Sequence, residues 1–593
     1  MFRFTKLSIA LVAVGFASII VGCSSGGGSS TAYTPYDPYL PGLDTPCTPG
    51  SDVIGTWKVV ANNQTLMPDS PQLPFFSYNQ PSVNSDGIVV FRGRAKSSTS
   101  GSGEIQRGIY ATNSCQQTGI IYTVADTLTT QVPVPNNTNA TFNEFPSIPR
   151  IDAHSGLIAT RGQSAPVWTY TDPITGLDTK VGTAGLYVTM PSALATGIGI
   201  LGNVPEFSYM QVPDASTTGI KFDQFPGSPS VTDNKYLVFK GNYTDGVSKT
   251  GVYYRDLNVT GSPVTTIANT NTVIPGQTTT TTTFGSTAPP SSEGGKVVFV
   301  GLDNEDAPTM GGIYMAPVAD KPALDPLVTI GELVPDKTSA PLDGTSTFTQ
   351  IGEALAFDGR YVAFWGAWGQ NFTTHGGMHT ITLTCPTDGS KALQAACMAG
   401  SIKDPVTGDP TGQYQEYEPI NQGIFVVDSQ TKKVWMVARG EFGATGPLGT
   451  IPQFQGFMYW VYSGSTQGGD AEPPKWRASA FAALDGSRGV LFKGSPSAST
   501  ASGIYGVQFN GSSLGTTFKV IATGDPMTTL DAAAPAGPIT SVAIEREGLR
   551  NGWLTLTAAS ADWAGAYATY FPSAFHLAGT PDANGVDNLI LGY

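Results

Sequence analysis

Short apolar runs recur along this chain, alternating with polar positions and bounded by Gly, Pro, Asp, Asn or Ser. In YLVFKG, residues 236–241, an extended backbone points Leu237 and Phe239 one way and Val238 and Lys240 the other, the period-two pattern of a strand. The runs are rich in Val, Ile, Thr, Tyr and Phe, whose branched or aromatic side chains fit a pleated sheet. Stretches of Leu, Glu and Lys at helical spacing are scarce. The pattern predicts an all-β chain.

The runs form a repeat. PSVNSDGIVVFRG at 81–93 is followed by GIYATN and IIYTVAD. PSVTDNKYLVFKG at 229–241 is followed by GVYYRD and VTTIAN, and GGKVVFVG at 294–301 by GGIYMAP and LVTIGE. DGRYVAFWG at 358–366 and LDGSRGVLFKG at 484–494 continue the series, with degenerate copies at 148–203 and 540–571. The unit is a turn, a strand ending in Val-x-Phe-x-Gly, a Gly-Ile-Tyr strand and a last strand near Val-Ala. The glycine after each phenylalanine reads as the point where the chain leaves the strand.

One such unit cannot bury both of its faces. Radial stacking solves this and protects strand edges, so the expected architecture is a single β-propeller. Units near 77–130, 147–212, 226–275, 286–335, 349–445, 475–530 and 538–575 make seven blades. Six and eight stay open because 366–475 reads as one blade with a large insertion or as two. The last unit lacks its final strand, and WKVVA near 57–61 resembles the FKVIA that precedes TGDP at 523–526. Residues 56–62 are therefore expected to close the last blade. The expected organisation is a signal peptide at 1–22, a flexible tether at 23–53, the propeller at 54–575 with its insertion around 366–475, and a C-terminal tail at 576–593.

The turn-plus-strand elements SDGIVVF and FDGRYVAF resemble the TolB-type propeller repeat of bacterial envelope proteins. The Gly-Ile-Tyr strand and the Val-Ala-x-Gly-Asp-Pro-like ending are similar to an uncharacterised class of exported bacterial propeller repeats. The resemblance implies envelope protein contacts for TolB-like members and sugar binding or hydrolysis for other propellers, so it does not settle function.

At the N-terminus, Arg3 and Lys6 precede an apolar run from Leu7 to Val21 that ends at Gly22-Cys23. This resembles a bacterial lipobox, which implies cleavage before Cys23 and its acylation, for example with palmitate. The run is short for a membrane span. Ser24 after the cysteine, by resemblance to enterobacterial sorting, implies the outer membrane of the cell envelope. The formal charge of −14 and the lack of a basic stretch argue against nucleic acid, leaving the lipid anchor as the expected membrane contact. Four cysteines remain. An even number fits an oxidising compartment, with Cys385–Cys397 as a local staple and Cys47–Cys115 as the other pair.

Candidate chemistry is sparse. Asp303, Asn304 and Asp306 offer oxygen ligands for calcium but lack EF-hand spacing. Acidic residues after last strands, Asp69, Asp126, Glu332, Glu441 and Asp525, either gather near the channel or serve their own turns. His375 and His379 are four apart, yet no Glu follows the first, and a surface loop is the plainer reading. A Ser-His-Asp triad has His154, His375, His379 and His576 as its few centres, with no partner specified. Aromatics in and beside the insertion, Trp365, Trp368, Tyr414 and Tyr417, suit glycan stacking or a protein interface. No catalytic residue is assigned. The favoured reading is a non-enzymatic envelope lipoprotein whose loops bind protein or glycan. Its alternatives are a propeller hydrolase or lyase acting on sugars or lactones, and a structural assembly factor. The enzyme reading requires two carboxylates, or a histidine with a carboxylate, converging at the channel mouth.

Overall fold

In the computed structural model, Leu43 and residues 48–590 are described, apart from 69, 99–104, 117–118, 133–139, 166–167, 172–177, 182–183, 191–192, 201–210, 260–261, 277–280, 388–390, 442–452, 464–473, 497–501 and 582–585. The fold is almost all-β and is divided among several sheets. The repeat is visible in the sheets of four or more strands: a short first strand, a long second strand, the Gly-Ile-Tyr strand and a last strand, each antiparallel to its neighbour within the unit. Ser230–Thr232, Tyr236–Asp245, Val247–Asp256 and Thr265–Asn269 form one such sheet.

Alternation along the second strands sends neighbouring residues into different cores. Phe239 packs with Leu157 and Leu186 of the repeat before it and with Phe222 of the segment that leads into its own sheet, while Val238 packs with Val297 and Phe299 of the sheet after it. Phe492 and Leu491 divide in the same way. Among the described residues seven apolar clusters result, each between consecutive repeats, and the last joins Trp553, Ala566 and Ala568 to Val89 and Phe91. Each fully buried Phe or Val contributes about 1.5–3 kcal/mol relative to exposure.

The first strands line the centre. Ser82–Val83, Arg150–Ile151, Ser230–Thr232, Ser291–Glu293, Ala356–Phe357, Ala482–Asp485 and Leu549–Arg550 each touch the next, and the last touches the first. The turns that follow them are also linked. Ser85 N donates to Ala153 O (2.8 Å), Asn234 N to Asp152 Oδ2 (3.1 Å) and Gly295 N to Thr232 Oγ1 (3.1 Å). Lys296 Nζ donates to Gly359 O (3.4 Å), Gly486 N to Asp358 Oδ2 (2.8 Å) and Gly552 N to Asp485 Oδ2 (2.9 Å). Asn551 Nδ2 returns the circuit to Ser85 O (3.4 Å).

The segment expected to close the last repeat forms the strand Lys58–Asn62, and it pairs antiparallel with Ala564–Tyr570. The first and the last repeat-type segments of the described chain thus share a sheet. Val586–Asn588, within the segment expected as a tail, pairs parallel with Leu514–Ala522. The stretch 366–475 holds one unit with two excursions. The first carries the hairpin Met378–Thr384/Gln413–Pro419 and the helix Lys391–Gly400; the second is the hairpin Tyr459–Ser463/Lys475–Ser479.

The glycine of Phe-x-Gly does not end the strand, as expected above; the strand runs on through it. A Cβ on Gly241 would lie 2.4 Å from the Phe222 ring, and one on Gly93 2.6 Å from the Phe75 ring. The glycine makes room for an aromatic ring from the preceding segment, and that ring meets the tyrosine of the next strand edge-on. Phe222–Tyr253 centroids are 5.0 Å apart and Phe75–Tyr110 4.8 Å.

Candidate functional site

The turns after the first strands converge on one cavity of about 520 Å³, lined by residues including Ser85, His154, Glu293, Asp358, Tyr361 and Arg550. Each is local in origin. The turn needs a left-handed residue, supplied by Gly87 (φ 80°), Gly295 (φ 68°), Gly359 (φ 88°) and Asn551 (φ 45°), and a polar side chain that caps it. Asp358 Oδ1 accepts from Arg360 N (3.1 Å) and Tyr361 N (2.7 Å), and Asp152 Oδ1 accepts from His154 N (2.9 Å). These two carboxylates hold the turns together and shape the rim.

Glu293 and His154 are different, because neither caps its own turn. Glu293 closes its first strand with its side chain 12% exposed, and its Oε1 lies 3.7 Å from His154 Nε2. The imidazole is 68% exposed, and its Nδ1 is 3.2 Å from Ser85 Oγ. On its other side, Glu293 Oε2 lies 3.4 Å from Arg550. Burial pushes the Glu293 carboxyl up to about 7, against the pull of Arg550 and with help from Asp358, Glu547 and Asp152. Burial also raises Asp358, despite the backbone N–H groups that it accepts from.

Behind the cavity, a column of buried ion pairs fills the centre. Arg550 lies 3.7 Å from Glu547, which accepts from Arg150 Nη1 at 2.9 Å; Arg150 also pairs with Glu545, and Arg546 Nε is 3.6 Å from Glu545. Burial raises Glu547, but Arg150, Arg550 and Arg546 together hold it below the usual carboxylate range. Burial, with Arg150 beside it, lowers Arg546 to about 10. The column fixes Arg550, and so the side of Glu293 that faces away from the opening.

The sequence-level candidates lie elsewhere. Trp365 and Trp368 are core residues, each 3% exposed; Trp365 Nε1 donates to Gln422 Oε1 (2.9 Å), and Arg439 lies over the Trp368 ring. Neither is placed to stack on a ligand. Tyr414 donates to Cys397 O (2.7 Å), and Tyr417, 40% exposed, stacks on His375 at 3.9 Å. Cys385 and Cys397 are joined, with Cα atoms 5.8 Å apart. Cys115 is disulfide-bonded, while Cys23, Cys47 and Asp69 lie outside the described residues. Asp303 accepts from Thr309 N and Met310 N, and Asn304 caps Asp306 N. Asp126 and Asp525 likewise serve their own turns, Glu332 is exposed, and the Glu441 side chain lies outside the description. Among the described residues, no group of three or more His, Cys, Asp or Glu is arranged to hold a metal.

No family model and no curated protein matches the chain. Solved structures are similar at low identity. A prolyl endopeptidase matches at 9% identity and TM-score 0.37, over 86% of this chain and 48% of its own. The polysaccharide lyase Uly1 matches at 10% and 0.27, over 52% and 58%. An exo-inulinase from Aspergillus awamori matches at 10% and 0.25, over 84% and 93%. The chain thus spans about half the length of the prolyl endopeptidase. At these values the likeness is one of β-sheet architecture.

Three expectations are corrected. A non-enzymatic binding scaffold required a face with no converged catalytic group, whereas His154, Glu293 and Asp358 line one cavity. The leaning against an enzyme falls for the same reason. The TolB-like label is withdrawn, since no family model matches the chain.

Proposed function

We propose that the chain is a seven-bladed β-propeller enzyme, a hydrolase or lyase acting on sugars or lactones in the cavity above the first-strand turns. The closed cycle of first strands and the seven interleaved cores support the propeller reading. One observation carries the enzyme reading: Glu293 keeps its proton up to about pH 7 and lies 3.7 Å from an exposed imidazole in an open cavity. A general acid works best when its pKa is close to the working pH.

In this reading the protonated Glu293 donates to the leaving oxygen of a glycosidic or acyl bond. His154, oriented through Nδ1 by Ser85, takes the proton from water or from the carbon next to a carboxylate. Arg550 spreads the charge left on Glu293 afterwards. Hydrolysis and elimination share these two groups and differ in where the base takes its proton.

The test is turnover on a panel of neutral and uronate oligosaccharides and simple lactones, read as new reducing ends, new carboxylate or the ultraviolet absorbance of an unsaturated uronyl end. Glu293→Gln and His154→Ala should each lower turnover by roughly 10²–10⁴-fold while the protein stays folded. No turnover by the parent chain on the panel, or undiminished turnover by Glu293→Gln, would overturn the reading.

A further inference from the structure

Asn510 and Asn551 both line the cavity, both are exposed, and each precedes a glycine. A third such pair, Asn584–Gly585, lies outside the described residues. An asparagine before glycine is open to an internal reaction, because glycine has no Cβ to keep its amide nitrogen from the asparagine Cγ. The reaction needs that nitrogen free to give up its proton, a Cγ drained of electrons, and a side-chain amide free to leave.

The two turns differ in these respects. Asn510 opens the turn between the strands Gly503–Phe509 and Leu514–Ala522. Its Oδ1 accepts from Ser512 N (3.0 Å), Ser513 N (2.9 Å), Ser512 Oγ (2.9 Å) and Ser513 Oγ (3.1 Å). These four donors draw charge from Cγ and stand ready to hold a negative oxygen there. Among the described residues, no hydrogen bond engages Gly511 N or Asn510 Nδ2.

At the other turn, Gly552 N donates to Asp485 Oδ2 (2.9 Å), a carboxylate also held by Arg488 Nη1 (2.8 Å). Taking the proton from that N–H breaks a charge-assisted hydrogen bond and sets a negative nitrogen beside a negative oxygen. Asn551 Nδ2, the group that has to leave, donates to Ser85 O (3.4 Å). Gly552 is buried, and a Cβ there would lie 2.2 Å from Phe571 O, so this turn has little room to swing.

We infer that Asn510 is a self-modification site on the cavity rim, converting through a succinimide to aspartate and isoaspartate, while Asp485 protects Asn551. Gly511 N gives its proton to hydroxide and bonds to Asn510 Cγ. The Cγ–Nδ2 bond breaks, and Nδ2 takes a proton from water and leaves as ammonia. A second water opens the ring at either carbonyl. The sum is one water consumed and one ammonia released, with nothing oxidised or reduced. Both products place a carboxylate on the rim. The isoaspartyl product also adds one carbon to the main chain next to Gly511, whose carbonyl accepts from Tyr361 Oη (3.0 Å). Tyr361 is itself part of the cavity wall, so the conversion reaches the cavity by charge and through this side chain.

Peptide mapping by mass spectrometry tests the inference on the full chain, held folded in warm, mildly alkaline buffer, with isoaspartyl methyltransferase labelling to mark the isoaspartyl product. Conversion at Asn510 should outrun that at Asn551 by at least about tenfold, the worth of the one charge-assisted hydrogen bond on Gly552. In the same buffer with denaturant the two should convert at similar rates, since glycine follows both and Asp485 no longer holds either. The readout is independent of turnover, so it stands apart from the enzyme reading. An unchanged Asn510, equal rates at the two sites in the folded chain, or a preference for Asn510 that survives denaturation would overturn the inference.

Discussion

Replacing Glu293 by Gln converts the proposed proton donor into a permanent neutral isostere, and the consequence for stability has a definite sign. The carboxyl of Glu293 rises from an ordinary 4.5 to about 7 on folding, so the folded protein holds this proton more tightly than the unfolded chain. The stabilisation is fully present below about pH 4.5 and is lost as the pH rises through about 7. At about 1.4 kcal/mol per unit, the change across that window is at most about 3 kcal/mol. The side chain is only 12% exposed, so solvent screens little of it. Denaturant unfolding of both proteins from about pH 4.5 to about pH 8 measures the effect. The two should be nearly equally stable at the acid end, and Glu293→Gln should gain on the parent by up to about 3 kcal/mol at the alkaline end. A difference that stays constant across the window, or that grows in the parent's favour with pH, would refute the assignment of a raised Glu293.

Two further substitutions probe the frame around the site. Arg150→Met leaves Glu545 and Glu547 buried without their shared partner, and it should cost about 3–5 kcal/mol in denaturant unfolding. Gly241→Ala places a methyl group 2.4 Å from the Phe222 ring, so thermal melting should show a loss of about 1–3 kcal/mol, and a paired Phe222→Leu change should recover part of it.

The strand pattern was legible because each second strand serves two cores, so its alternation appears as apolar residues on both faces with a glycine beside the phenylalanine. The pairing of Lys58–Asn62 with the last sheet was legible because WKVVA carries the same pattern as FKVIA. The site was not. Ser85, His154, Glu293, Asp358 and Arg550 sit in turns, where a polar residue is expected for local reasons, and some two hundred residues separate Ser85 from Glu293. The available signal was positional: the residue at or just after the end of each first strand varies between repeats, and Glu293 and Arg550 stand where a turn needs no such charge. Of the aromatic candidates, Trp365 and Trp368 are buried because they fall on a strand that is buried throughout.

The pairing of Lys58–Asn62 with Ala564–Tyr570 sets an order of events at synthesis. Asn63 Oδ1 accepts from Ala564 N across 501 residues, and Lys58–Asn62 finds its partner strand only when Ala564–Tyr570 has been made. At roughly 5–20 residues per second, the first strand waits about 25–100 s as an unpaired edge beside apolar Val60. Whatever shields that edge on the way out of the ribosome decides how much of the chain reaches its folded state, since every later repeat can pack on its predecessor without it.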